Sequence, residues 1–191
     1  ERFEMTPKDW RNGGYKDYSR KILQQSKRAM ESKADFSDMT PTIVKMPVFE
    51  SFYIRNKGYN SNIKETWQKL QTWILTNNIT NYKQIALFHD NPTITPLNDC
   101  QYIGCVVVDN PQKVKSDRLP NFKISDGVYA KFDLKGKTGD VLPFIHWVYH
   151  EWLPKNEYET TTKPSYAIYN KIDFLDESNE FDLSFYVSIN F

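Results

Sequence analysis

ISDGVYAKFDLKGKTGDVLPFIHWVYHEWLPKNEYE, residues 124–159, is the stretch whose reading sets the fold. Val128 to Leu134 is rich in β-branched and aromatic residues and reads as a strand, closed by Gly136. From Asp140 to Leu153 the period changes, and Val141, Ile145, Val148 and Trp152 fall on one face of a helix. Pro143 sits in the first turn of that helix, where a missing N–H is tolerated. Pro154 follows its expected end. Ser165 to Lys171 and Phe181 to Ile189 read as two further strands.

The same series occurs upstream at an offset of 78 positions. Lys57-Gly58 falls on Lys135-Gly136, and Ile63, Trp67, Leu70 and Ile74 fall on Val141, Ile145, Val148 and Trp152. At that offset Ile103, Cys105 and Val107 fall on Phe181, Leu183 and Phe185. Ile43 to Arg55 is the corresponding first strand, with Pro47 marking an edge or a bulge. Asn60 or Ser61 can cap a helix running to about Leu75. Gln84 to His89 and Tyr102 to Asp109 complete the unit, joined by a Pro-containing loop. One offset that keeps a turn glycine, a four-position helix face and an alternating strand points to a duplicated β-α-β-β unit. Two unrelated units of that order are the alternative.

The fold class expected is therefore α+β: a tandem β-α-β-β repeat with a pseudo-twofold sheet, both helices on one face and a central cleft. Clefts between packed repeats are favoured ligand sites.

The preceding segment is different. Tyr15 to Ser32 is helix-like, but its apolar positions are sparse, which suits a linking helix better than a buried one. With 25 Lys+Arg against 24 Asp+Glu, the charge does not supply the cation excess that a long nucleic-acid surface needs. The 12 Tyr, 12 Phe and 5 Trp serve cores and also flat or greasy ligands. Cys100 and Cys105, an odd distance apart in a strand-like run, would face opposite ways and stay unpaired. No apolar run reaches a membrane span, no leader pattern is visible, and a cytoplasmic location is expected. The chain starts at Glu1 rather than Met, which leaves its natural start open.

LFHDNPTITPLNDCQYIGCVVVD (87–109) and the 124–159 stretch, followed by KPSYAIYN and the closing strand, resemble the GyrI-like effector-binding domains. Glu151-Trp152-Leu153-Pro154 is the most specific piece of that resemblance, which covers residues 42–191 with repeats at about 42–110 and 122–191. RFEMTPKDWRNGG (2–14) is similar to the end of an AraC-type helix-turn-helix domain, with Thr6 as cap and Pro7 as first helical residue. The resemblance divides the chain into a helix-turn-helix remnant (1–14), a linking helix and linker (15–41) and the effector domain (42–191). It implies a regulator that senses a small-molecule effector, reaches DNA only through a helix-turn-helix domain preceding this chain, needs no cofactor and could form a homodimer.

The resemblance also implies a ligand site between the repeats. The residues expected there are Phe52, Tyr59, Tyr102, Trp147, Ala167, Tyr169, Ser184 and Tyr186. Core packing competes with binding for Tyr102, Tyr169 and Tyr186. For Phe52 and Tyr59 the alternative is core packing or surface exposure, the stronger reading for Tyr59. Trp147, off the apolar helix face, either walls the cleft or lies partly exposed. Many relatives carry carboxylates at two of the positions, where this chain has Ala167 and Ser184. A cleft without a carboxylate has no reason to select cations, so a neutral, partly aromatic effector is expected. The same loss speaks against catalysis, and no catalytic residue is assigned. A GyrI-like hydrolase and a protein-binding module are the alternative readings. His146 and His150 have metal-ligand spacing but lack further ligands, and read as an exposed pair with no metal. His89-Asp90 lacks a nucleophile.

Overall fold

The computed structural model describes residues 3, 5–59, 62–111, 114, 119–172 and 179–190. The expected caps Asn60 and Ser61 lie outside the described residues. The helices are α1 (Pro7–Asp9), α2 (Tyr15–Leu23), α3 (Lys27–Met30), α4 (Asn62–Thr76), α5 (Val141–Trp147) and α6 (Leu153–Lys155). The strands are β1 (Thr42–Met46), β2 (Phe49–Lys57), β3 (Tyr82–Phe88), β4 (Gln101–Val108), β5 (Asn121–Ile124), β6 (Gly127–Lys137), β7 (Glu159–Thr160), β8 (Ser165–Ile172) and β9 (Glu180–Asn190). All pairings are antiparallel, in the order β1-β6-β9-β8-β3-β4-β2-β5, with β7 on β9.

That order is palindromic, and so is its register. Phe52 stands opposite Val106, and their counterparts 78 and 81 positions on, Ala130 and Val187, also stand opposite each other. Ile85 opposite Cys105 is repeated by Tyr166 opposite Tyr186, both 81 positions on. Met46 opposite Gly127 is repeated by Ile124 opposite Phe49. The axis passes through Ala86 and Ala167, paired at the sheet's centre and both fully buried.

The expected strand Ile43 to Arg55 is divided at Pro47-Val48 into β1 and β2, which belong to opposite ends of the sheet. Two intervening residues span at most about 11 Å between Met46 and Phe49 Cα atoms. The sheet therefore has to curl until its ends approach. Ser125-Asp126 makes the corresponding crossing between β5 and β6. Proline suits the bend because its missing N–H withdraws it from the ladder.

The helix face expected from the sequence is the buried one. Trp67, Leu70 and Ile74 on α4, and Ile145, Val148 and Trp152 in the second repeat, are all at most 6 % exposed. They share one core with Phe52, Val106, Ala130, Phe132, Phe181, Leu183 and Phe185. Each Val, Leu, Ile or Phe among them stabilises the fold by roughly 1.5–3 kcal/mol through apolar burial. The other sheet face carries its own cluster, including Ile85, Leu87, Ile103, Cys105, Tyr129, Tyr166 and Tyr186. Among the described residues no helix side chain belongs to that cluster, so the curl itself supplies the burial.

Three expectations change. At an offset of 78 the last strands do not match by face: Ile103 and Cys105 point into the curl, whereas Phe181 and Leu183 point to the helices. An offset of 81 restores the match, because three additional residues lie between the helix and β8. Pro154 does not stop the helix. It lies in α6, behind a π-type turn over Val148–Trp152 in which the Leu153 N–H reaches the Val148 carbonyl. Widening the turn accommodates the ring where an α-helical interior would clash. Finally, Tyr15 to Ser32 forms two helices rather than one, and it is packed down, with Ser19, Ile22 and Ala29 at 1–4 % exposure. Cys100 and Cys105 are free and buried. Among the described residues no helix is long and apolar enough to cross a membrane.

Candidate functional site

The site is built on the pseudo-twofold axis. The first turns of α4 and α5 border a cavity of about 450 Å³ over strands β3, β4, β8 and β9. Its walls come in symmetry-related pairs: Ile63 with Val141, Lys64 with Leu142 and Phe88 with Tyr169. Tyr102, Phe181 and Tyr59 complete the aromatic lining, and Thr138 and Asn179 border it from the second repeat. Ser26 and Arg28 also reach the cavity, from the segment before the repeats.

That segment is seated on both repeats. The Gln25 side-chain oxygen accepts from the Leu97 N–H at 2.9 Å, and the Ser19 hydroxyl donates to the Thr93 carbonyl. On the second repeat, Ser19 Oγ meets His150 Nε2 at 2.7 Å, and the Ser32 hydroxyl donates to Asp140 at 2.6 Å. Phe36 is buried against Phe144 and Trp147.

The tyrosines of the cavity are polar only at their tips. Trp67 Nε1 donates to Tyr102 Oη at 2.8 Å, and Tyr102 shares a hydrogen bond with Tyr169. Trp67 and Tyr169 also meet edge to face, with centroids 5.6 Å apart. Tyr59 is held edge-on by Phe88 and Tyr102, at 5.9 Å to each ring, and among the described residues its buried hydroxyl has no hydrogen-bond partner. Burial pushes all three phenols up, Tyr169 to about 12 and the other two well above the ordinary tyrosine range. Asp90 adds to the effect on Tyr59 through its charge. The three hydroxyls are therefore neutral hydrogen-bonding groups at physiological pH.

The structure brings three of the eight expected residues, Tyr59, Tyr102 and Tyr169, to this cavity. The other five do not line it. Phe52 lies under the later turns of α4, buried against Trp73 at 4.9 Å. Trp147 packs on Phe36, Phe132 and Phe144, away from the axis. Ala167 is on the correct face but closed off beneath it, opposite Ala86. Ser184 and Tyr186 share a strand parity that turns them to the other side of the sheet. There Ser184 donates to Asp133 at 2.5 Å and Tyr186 stacks on Tyr166 at 4.8 Å. The sequence reasoning missed Phe88, Phe181 and the paired first-turn positions, although the repeat offset carried that signal. For Arg28 it offered none.

The histidine pair also needs correction, being covered rather than exposed. His146 Nε2 is buried with no hydrogen-bond partner among the described residues, and Tyr15 and Ser19 of α2 lie over His150. Desolvation, joined by the neighbouring His150, lowers His146 to about 4. His150 is lowered by burial and by Lys16. His89 Nδ1 stands 3.8 Å from Asp90 Oδ2, but that carboxylate accepts from the Gln101 N–H at 2.8 Å, a structural role. Among the described residues no group of three or more His, Cys, Asp or Glu side chains is placed to hold a metal.

A pseudo-symmetric, aromatic cavity between two β-α-β-β repeats defines the class as a small-molecule-binding domain. Residues 39–189 match the model of the GyrI-like small molecule binding domain, and the chain belongs to that family. It is 22 % identical over 113 residues to a DNA gyrase inhibitor of Citrobacter rodentium (strain ICC168), covering 58 % of this chain and 72 % of that protein. Among solved structures it is similar to the EcmrR C-terminal domain, with TM-score 0.64, 15 % identity and coverage of 80 % of this chain and 98 % of that one. EcmrR in a DNA complex aligns with TM-score 0.64 and 16 % identity over 96 % of this chain and 68 % of that one. SAV2435 bound to tetraphenylphosphonium aligns with TM-score 0.53 and 10 % identity over 80 % of this chain and 94 % of that one.

Proposed function

We infer that this chain is the effector-sensing part of a bacterial transcription regulator of the AraC type, taking a small, partly aromatic molecule in the cleft between its repeats. The observation that carries this reading is the cavity on the pseudo-twofold axis, lined by rings from both repeats and bordered by the preceding segment. Family membership supports small-molecule binding, and the likeness to a regulator solved on DNA supports coupling to a DNA-binding part. The AraC assignment rests on residues 2–14. There Thr6 accepts from the Asp9 N–H and Asp9 reaches back to Thr6, a full capping box in front of Pro7.

Catalysis is not part of the proposal. The lining supplies neutral phenols and apolar groups, and no carboxylate or histidine borders it among the described residues. Effector binding in the cleft would act by population shift, favouring the arrangement in which the preceding segment is seated.

A thermal-shift screen of apolar and aromatic compounds tests the reading. A true effector at about 100 times its Kd stabilises by about 2.7 kcal/mol. Leu142→Trp, which fills the cavity, removes that shift, and Tyr186→Phe, on the other sheet face, leaves it intact. Equal shifts in both variants would place binding elsewhere.

A further inference from the structure

Resting on the reading of the cleft as the effector site, and departing from the neutral effector expected from the sequence, we propose that the effector is an anion: an aromatic body with an acidic group, held at the rim by Arg28 and Lys64. Three observations converge. Both cations border the cavity and are exposed, and neither has an ion-pair partner among the described residues. No carboxylate borders it among those residues, and Asp90, whose charge bears on Tyr59, is occupied by the Gln101 N–H. Among the described residues the buried Tyr59 hydroxyl has no hydrogen-bond partner, a polar atom left over in an otherwise satisfied aromatic wall. Such an atom is costly unless a ligand completes it.

Pseudo-symmetry makes the charge conspicuous. Ile63 and Val141 are matched apolar walls, but Lys64 has Leu142 as its mate, so one side of the mouth is cationic. Arg28 comes from α3, outside the repeats. An acidic group held by both cations would therefore tie the preceding segment to α4. The effector would then bind more tightly to the seated arrangement than to one with the segment released, which is the difference in affinity that a population shift requires.

The test is a matched fluorescence titration of the full chain with three probes. They are anilinonaphthalene sulfonate, its uncharged counterpart phenylnaphthylamine, and cationic tetraphenylphosphonium. The sulfonate is expected to bind at least about tenfold more tightly than the uncharged dye, an advantage that shrinks as salt rises from about 0.05 to about 0.5 M. In the double variant Arg28→Gln, Lys64→Leu the two dyes converge, while the uncharged dye keeps its affinity because its cavity is intact. Both substituted residues are exposed, so folding is not at stake. Equal binding of the two dyes to the wild type, or tightest binding of the cation, overturns the anion proposal and leaves the cleft standing. If no probe binding responds to Leu142→Trp, the effector-site reading itself fails.

Discussion

In the first repeat Gly104 lies under α4, and 81 positions on, Phe185 lies under α5. A Cβ on Gly104 would stand 2.9 Å from Leu70 Cδ1 and 3.0 Å from Thr66 Cγ2, so that helix rests directly on the sheet. Phe185 instead fills its space with a ring, 5.5 Å from Phe144 and 5.6 Å from Phe88. The outer helix faces differ too. Gln68 and Thr72 on α4 are exposed, while their mates are covered, His146 with its Nε2 buried and His150 under Tyr15 and Ser19 of α2. A duplicated unit can thus keep its register while one copy becomes a tight support and the other a docking surface.

Removing the ring is the most severe way to break this comparison. Phe185→Ala leaves a cavity under α5 and is expected to cost about 3–5 kcal/mol, read by urea denaturation. A loss under about 1 kcal/mol would mean that the second helix settles onto the sheet as the first does.

Acid probes the covered face. His146 in the folded chain protonates only near pH 4, whereas an ordinary histidine does so near 6.5. The unfolded chain therefore takes up the proton first, and stability falls as pH drops from about 6.5 to about 4, by up to about 3 kcal/mol. His146→Gln, the residue of its α4 mate, should flatten that slope in denaturation curves at pH 7 and pH 5. An unchanged slope would show that other groups carry the acid sensitivity.

Gly104→Ala tests the tight side. The added methyl group meets two α4 side chains below ordinary contact distance, and overpacking should cost about 1–3 kcal/mol. A neutral outcome would show that α4 can lift from the sheet. The smallest effect separates the outer faces. Ser19→Ala removes hydrogen bonds to Thr93 and His150 and should cost roughly 1 kcal/mol, with faster amide exchange in α2. Thr72→Ala, on the exposed face of α4, should stay within about 0.5 kcal/mol.

The helix faces were legible because their periodicity does not depend on distant partners: Trp67, Leu70 and Ile74 were expected inward and are buried. The site was only partly legible. Alternation along a strand shows which residues share a face, but assigning that face to the helices requires registration against another strand. On β4 the expected face was the right one, since Tyr102 lines the cavity, but on β9 it was reversed, and the repeat offset, three positions short, gave no warning of it. Tyr186 was misplaced by the same kind of parity.

By itself the sequence determined the α+β class, the duplication, the buried faces of the two repeat helices and the family resemblance, because these follow from local periodicity and ordered motifs. Only the tertiary structure decided that the sheet curls to bring its ends together, that Tyr186 lies on the face opposite the cleft, and that Arg28 reaches a cavity bordered by α4 and α5. Those outcomes depend on strand registry and on contacts between residues far apart in the chain. No pattern within a single segment encodes them.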